Sequence, residues 1–441
     1  MKKLNKQPAA LSRNYKWELL GLLCLAFFFH QGDRAIYGVV LPQIRAELQL
    51  TDAQLGFVGT VLFFTLAILM PFAGYLGDML RKKWVITGAI LFWSSSTMFT
   101  GLSRGVVSLT MLRSVATAGG ESFYAPAAYA LLAKFHRATR AIAMSIHQGA
   151  LYFGVMVSGF LGGYIAEQWG WRATFYVYGI AGILLGFIFI FRLKDDEDHH
   201  AGETPLDAPE AAEAPAPPTP RQWQNPLKML GILFRKPTAL LLTVGFTAIV
   251  FVNNAYVVWA PEYLHEKFDL SLTQAGGYSM FYHHITALIG VLIGGTLSDA
   301  WVKKYPRARM TMQTVAMLLG APAIVYMGLA HSPMMVYLAM AVFGMFRGLY
   351  ESNTHASLFD VIEPEYRASA VGVMVMLAFL VGSLSPWLMG YMREVIEPGK
   401  GLSYAFAGYG LAYVIGGLAV GLGLLVFFKN DRIVEDLTES Q

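Results

Sequence analysis

Six ionisable side chains lie inside stretches that are otherwise apolar: Asp33, Arg34, Arg113, Glu121, Arg347 and Glu351. A charge in hydrocarbon costs about 3 kcal/mol even on lenient scales, so such residues face a bundle interior or a wet cavity. A chain that needed only an anchor would carry Leu at these positions. The chemistry on offer is narrow. Arg presents a planar fork that pairs bidentately with a carboxylate and never deprotonates. A carboxyl group in a low-dielectric site holds its proton more tightly through desolvation and less tightly beside an Arg. An anion that occupies the Arg removes part of that second effect, so anion and proton binding become linked.

The spacing gives each group an expected role. Asp33 and Arg34 lie about nine residues from the outer end of the first apolar stretch, and Arg113 about seven from the outer end of the fourth. At 1.5 Å per residue the two guanidinium groups sit at comparable depth, and Arg34 and Arg113 are expected to form an anion clamp. Glu121 lies eight residues, about 12 Å, deeper and is the expected proton carrier, with Asp33 next. The alternative use of these four residues is a buried salt-bridge network that fixes helix packing.

Softer groups follow in the second half. Asn253 and Asn254 lie 16 residues into the seventh stretch, as Asp33 lies 16 into the first, and can bond substrate hydroxyls. Tyr37, Tyr256, His283, His284 and Asn353 complete the expected substrate contacts, with Trp259, His147, Gln148 and Tyr350 as further wall residues. Arg347 and Glu351 are four apart, on one helix face, and read as an internal ion pair.

The elements that must position these groups are membrane spans. Of 441 residues 55% are hydrophobic and only 14% charged, which excludes an ordinary soluble protein. A spanning helix needs about 20 apolar residues. Twelve such stretches run over 17–43, 53–77, 84–103, 106–134, 141–166, 172–192, 237–260, 273–298, 310–330, 333–358, 368–392 and 403–428. The expected fold is all-α, with two pseudo-symmetric bundles of six helices at 17–192 and 237–428, short tails at 1–16 and 429–441, and a linker at 193–236. With both termini inside, 24 Lys and Arg fall on the cytoplasmic side against six outside, which orients a multi-pass protein of the bacterial inner membrane. The basic residues are thus loop punctuation, and no nucleic-acid partner is expected.

The lone Cys24 lies in the first span, so no internal disulfide forms. The linker stretch Glu203–Pro220 is rich in Pro, Ala and Glu and builds no core. The run Asp195–Asp198 with His199 and His200 reads as a solvated linker end rather than a metal site. Trp223–Phe234 has the spacing of a short helix on the membrane surface. No Ser-His-Asp arrangement, zinc-ligand cluster or phosphate loop is present, so neither an enzyme nor a cofactor is expected.

The halves echo each other. Gly74-Tyr-Leu-Gly-Asp78-Met-Leu-Arg81 follows the second span and Gly295-Thr-Leu-Ser-Asp299-Ala-Trp-Val-Lys303 the eighth. At this duplicated Gly-x-x-x-Asp motif the chain resembles the major facilitator superfamily, although Arg81 stands where that family usually has Gly. The resemblance implies secondary transport by alternating access, with Gly74, Asp78, Arg81, Gly295, Asp299 and Lys303 as a conformational latch. Asp33-Arg34, Arg113, Glu121 and Trp169-Gly170-Trp171-Arg172 resemble the anion:cation symporter branch, whose members import sugar acids and other organic anions with protons. Gly119-Gly120-Glu121-Ser122 after Arg113, together with Leu55-Gly56, also resembles the Spinster branch, which is associated with lipid-like substrates. Both branches usually space the span-four Arg and Glu seven apart; here the spacing is eight.

The resemblance implies a monomer among membrane lipids that carries a small organic anion, a sugar acid foremost, with protons. Sodium stays open as coupling ion, because carboxylate and backbone oxygens serve it as well. The second reading is a Spinster-like carrier of a lysolipid or other amphiphile.

Overall fold

The computed structural model describes residues 15–136, 139–194, 231, 235–396 and 399–433, and among these all regular structure is helical. The helices are α1 (Tyr15–Val39), α2 (Leu41–Leu48), α3 (Asp52–Met79), α4 (Lys82–Thr100), α5 (Val106–Leu109), a π-helical turn (Thr110–Ala116), α6 (Thr117–Phe135), α7 (Arg140–Trp169) and α8 (Trp171–Arg192). The second half holds α9 (Pro237–Phe268), α10 (Leu272–Val302), α11 (Ala308–Leu329), α12 (Pro333–Glu351), α13 (Thr354–Phe359), α14 (Arg367–Gly382), α15 (Ser385–Val395) and α16 (Gly401–Leu422). Ten helical stretches are long and apolar enough to cross a membrane. A helix satisfies every backbone polar group internally, which a spanning segment requires. The two remaining predicted positions, Lys82–Thr100 and 106–135, are helical too, and they carry the Ser94–Thr97 run and the Arg113/Glu121 pair.

Local sequence explains where helices start and stop. Thr51 and Gln54 form a reciprocal capping box at the start of α3, and Ser271 and Gln274 form the same box at the start of α10. Each box follows a left-handed residue, Gln49 and Asp269, both at φ 52°. Leu50-Thr51-x-x-Gln54-x-Gly56 thus recurs as Leu270-Ser271-x-x-Gln274-x-Gly276, a second internal repeat. Pro386 stands in the first turn of α15, just past the break at Ser383-Leu384 that divides the eleventh predicted span. Pro71 and Pro126 lie inside continuous helices.

In the first half α1 packs on α7, and α4 on α8 and α6; in the second α10 packs on α12, and α11 and α9 on α16. Between halves, α7 meets α10, α3 meets α15 and α14, and α1 meets α9. We call the end bearing Asp52 the far end and the end bearing residues 193–236 the linker end. Contacts between halves gather at the far end. There Gly56 lies against the backbone of Pro386, and Gly159 against that of Gly276. A Cβ at Gly56 or Gly276 would overlap a facing carbonyl, so the repeated glycines mark where helices from opposite halves touch backbone to backbone.

Of the residues expected to form a latch, Asp299 pairs with Arg309 at 3.4 Å, and Arg309 pairs with Asp360 at 2.9 Å, all within the second half. Lys303 caps α10 and Arg81 caps α4. The surroundings of Gly74 and the Asp78 side chain, like the linker segments Asp195–His200 and Trp223–Leu230, lie outside the described residues.

Candidate functional site

The four charged residues of the first half come together, in a pairing the spacing did not predict. Arg113 Nη1 lies 3.3 Å from Asp33 Oδ2, and its Nη2 donates to the Asp33 carbonyl at 2.8 Å. Arg34 Nε donates to Glu121 Oε2 at 2.9 Å. Each base therefore holds an acid on the opposite helix, and the two guanidinium groups do not converge into a clamp. Side-chain direction explains the difference. Cα–Cβ bonds tilt toward a helix N-terminus, so the long Arg34 side chain reaches back toward the linker end and meets the deeper Glu121. Adjacent residues also point about 100° apart on a helix, so Asp33 faces a different neighbour.

The eight-residue spacing has a structural cause as well. Thr110–Ala116 winds as a π turn around Arg113, with Thr117 Oγ1 donating to Leu112 O at 2.9 Å. A π turn absorbs one extra residue in a helix, often at a functional site. The inserted residue thereby leaves both Arg113 and Glu121 facing α1.

The network is buried and electrically balanced. Side-chain exposure is 1% for Arg113, 3% for Asp33 and 0% for Glu121, against 13% for Arg34. Arg34 is thus the member that solutes reach. His30, which the sequence reading passed over, places Nε2 3.3 Å from the Glu121 carbonyl and 4.0 Å from Oε2. Tyr37 sits beneath Arg113, 5.6 Å from ring centre to guanidinium, and donates to Leu55 O at 2.8 Å. It is a buried support for the network rather than a wall of a cavity.

The second-half residues separate into two groups. Arg347 bonds Glu351 on its own helix at 2.8 Å and His283 Nε2 at 2.9 Å. Glu351 accepts from Tyr152 Oη of the first half at 3.2 Å, so this cluster bridges the halves. Asn253 is partly exposed, and its Oδ1 makes no hydrogen bond among the described residues. The others are buried with local partners. Asn254 bonds Gly382 O, Tyr256 bonds Ser279 O, and His284 Nδ1 contacts Met280 O. Asn353 bonds Ser352 and Leu349, while Trp259 bonds Pro386 O. His147 Nε2 meets Tyr124 Oη at 3.0 Å, and Gln148 accepts from Tyr129.

A second charged cluster closes the far end. Arg45 contacts Asp52 and Glu262, each at 2.8 Å. Arg393 contacts Asp52 at 2.7 Å, Glu262 at 3.3 Å and Glu266 at 3.0 Å. Arg45 and Asp52 belong to the first half, and the other three to the second. Sequence reasoning treated Arg45 and Arg393 only as markers of topology. The signal available was their place beside the Leu50–Gly56 repeat and Pro386, where the halves meet.

A family model described as Major Facilitator Superfamily matches residues 23–386. The chain is 26% identical over 440 residues to a protein of Cupriavidus necator named "Probable sulfoacetate transporter SauU", covering 95% of this chain and 94% of that one. It is 27% identical over 460 residues to protein spinster homolog 1 of Rattus norvegicus, covering 96% and 83%. Its fold matches the inward-facing, unoccupied crystal structure of a bacterial homolog to the human lysosomal transporter Spinster, with a TM-score of 0.79, 21% identity, and coverage of 96% and 100%. An all-helical chain with a balanced ion network between its spans, matched over most of its length, belongs to the Major Facilitator Superfamily and is one of its transporters.

Proposed function

We propose that the chain is a proton-coupled symporter of a small organic anion, a sugar acid or a carboxylate of similar size. The observation that carries this reading is that Arg34, the most accessible member of the network, is bonded to the fully buried Glu121. An anion that takes Arg34 strips Glu121 of its partner. An unpaired buried carboxylate is costly, and the cheapest relief is a proton. Anion and proton then bind together or not at all, which is the thermodynamic content of symport. Arg113 and Asp33 hold the helices in register while this exchange occurs. Asn253, with its free Oδ1, and Arg347 supply second-half contacts. A relative named as a sulfoacetate transporter supports the anion class.

In this reading twelve spans form two six-helix bundles, 17–192 and 237–428, joined by the cytoplasmic linker 193–236. The linker end faces the cytoplasm, the far end is closed, and the two bundles rock about the central site. The duplicated Asp motif latches the linker end in the opposite state. A lysolipid-like cargo is the second reading, favoured by the likeness to Spinster proteins over nearly the whole chain.

The test is uptake of labelled sugar acids into proteoliposomes under an imposed pH gradient. Wild type should accumulate the anion only with the inside alkaline, and Glu121→Gln should transport without regard to pH. Accumulation by wild type with no gradient, or unchanged pH dependence in Glu121→Gln, rejects the reading. Displacement of a bound fluorescent lysolipid, with no effect of sugar acids, selects the second one.

A further inference from the structure

The far end carries a third internal repeat. Ser158-Gly-Phe-Leu-Gly-Gly163-Tyr-Ile-Ala-Glu167 on α7 recurs as Ser385-Pro-Trp-Leu-Met-Gly390-Tyr-Met-Arg-Glu394 on α15. Each copy lies against the start of a capping-box helix in the opposite half. A Cβ at Gly163 would meet the carbonyl of Leu272, the first residue of α10, and a Cβ at Gly390 that of Asp52, the first residue of α3. One turn further on, the acids arrive. Glu167 Oε1 accepts from the Thr273 amide at 2.8 Å, and its Oε2 accepts from the Thr273 hydroxyl at 2.6 Å. Glu394 Oε1 accepts from the Ala53 amide at 2.7 Å. Thr273 and Ala53 hold the same place, the second residue of their helices.

A helix start leaves four amides without partners inside the helix. Each capping box serves two of the donors there. The Gln54 amide donates to Thr51 Oγ1 and the Thr51 amide to Gln54 Oε1, and Gln274 and Ser271 repeat the exchange. The box leaves the amide of the second helical residue over, and the positive end of the helix dipole favours a carboxylate beside it. In both copies that carboxylate comes from the other half. We infer that Glu167 and Glu394 are a matched pair of catches that hold the far end shut, each a carboxylate of one half seated on a helix start of the other.

Both glutamates are exposed. Water takes the place of the amide when the halves part, so a catch releases without stranding a charge. The pair therefore biases the balance between a closed and an open far end instead of locking it. The two catches share no partner, so their effects on that balance multiply. This inference rests on the rocking of the halves proposed above, but its test needs neither cargo nor a proton gradient, so it can fail while the symport reading stands.

Ala35 supplies the reporter. It is fully buried beside Val155 of the first half and Met280 of the second. A cysteine there reacts with a maleimide only when the halves part, at a rate that follows the open fraction. The experiment measures alkylation of Ala35→Cys in the purified full-length protein carrying Cys24→Ser. Glu167→Gln and Glu394→Gln should each raise the rate about threefold, and the two together about tenfold. Glu47→Gln removes an equal charge from the same end, but Glu47 pairs with Arg172 of its own half, so the rate should not change. The Tm of each variant separates parting of the halves from unfolding. An unchanged rate in both single variants overturns the catches. A double variant no faster than the singles overturns the matched pair. A rise of equal size in Glu47→Gln assigns the effect to net charge and overturns them as well.

Discussion

The two charged clusters buried among the long helices are built differently. In the first half each ion pair joins two helices, Asp33 of α1 to Arg113 within the π turn and Arg34 of α1 to Glu121 of α6. In the second half the main pair, Arg347 with Glu351, lies along one helix. A pair within a helix survives any movement of that helix as a rigid rod. A pair between helices is sensitive to a ligand or to a shift of either partner. The first cluster is therefore suited to sense cargo, while the second is suited to ride along and touch the first half through Tyr152.

The sharpest way to break this contrast is Arg34→Ala. It should abolish anion uptake, at least a hundredfold down, and destabilise the protein by about 3 kcal/mol, because Glu121 is left buried and alone. Thermal unfolding and proteoliposome uptake read both effects. Arg34→Ala combined with Glu121→Gln should recover the stability and leave uptake lost. Failure of the double variant to recover stability would mean that the pair serves packing through other contacts.

Arg347→Ala should do less. Its partner Glu351 is 24% exposed on its side chain and can be solvated, so the expected loss is about 1–2 kcal/mol with uptake cut roughly tenfold. An effect as large as that of Arg34→Ala would erase the distinction between the clusters. Tyr152→Phe removes only the hydrogen bond to Glu351, worth about 1 kcal/mol, and should speed opening between halves as read by cysteine labelling at mid-depth.

The smallest effect is expected outside the membrane, at Glu47. Its carboxyl is held below the ordinary value of 4.5, first by the hydrogen bonds from Arg172 and then by the Trp171 indole. A lowered carboxylate pKa adds stability that is complete above pH 4.5 and fades as pH falls through the lowered value. Glu47→Gln should accordingly change Tm slightly at pH 7, and by progressively less as the pH falls below 4.5. The pair is solvent-facing, so a large change at pH 7 would point to a role in holding the loop between α1 and α3.

Much of this molecule was legible in its sequence. Apolar stretches of the right length give the helices, and charges stranded inside them give Asp33, Arg34, Arg113 and Glu121 as neighbours, since nothing else repays their burial. Which acid holds which base was not legible, because it depends on the backward lean of a long side chain. The π turn at Arg113 leaves only a spacing of eight, which by itself does not tell an insertion from a different pairing. In α9 and α10 apolar residues surround the helix, so period reveals no inner face, and Tyr256 and His284 could not be told from cavity residues. The far-end cluster of Arg45, Asp52, Glu262 and Arg393 was hidden for another reason. Loop charges orient a membrane protein whatever else they do, and that first explanation masks the second.

The backbone contacts at Gly56–Pro386 and Gly159–Gly276 have an electrical consequence. A membrane stores energy only while its carriers do not leak. Side chains packed against side chains can part enough to admit a file of waters, along which protons hop. Two helix backbones pressed together leave no such file. The repeated glycines thus act as insulation at the seam between the halves, where helices pressed backbone to backbone leave no path for ions.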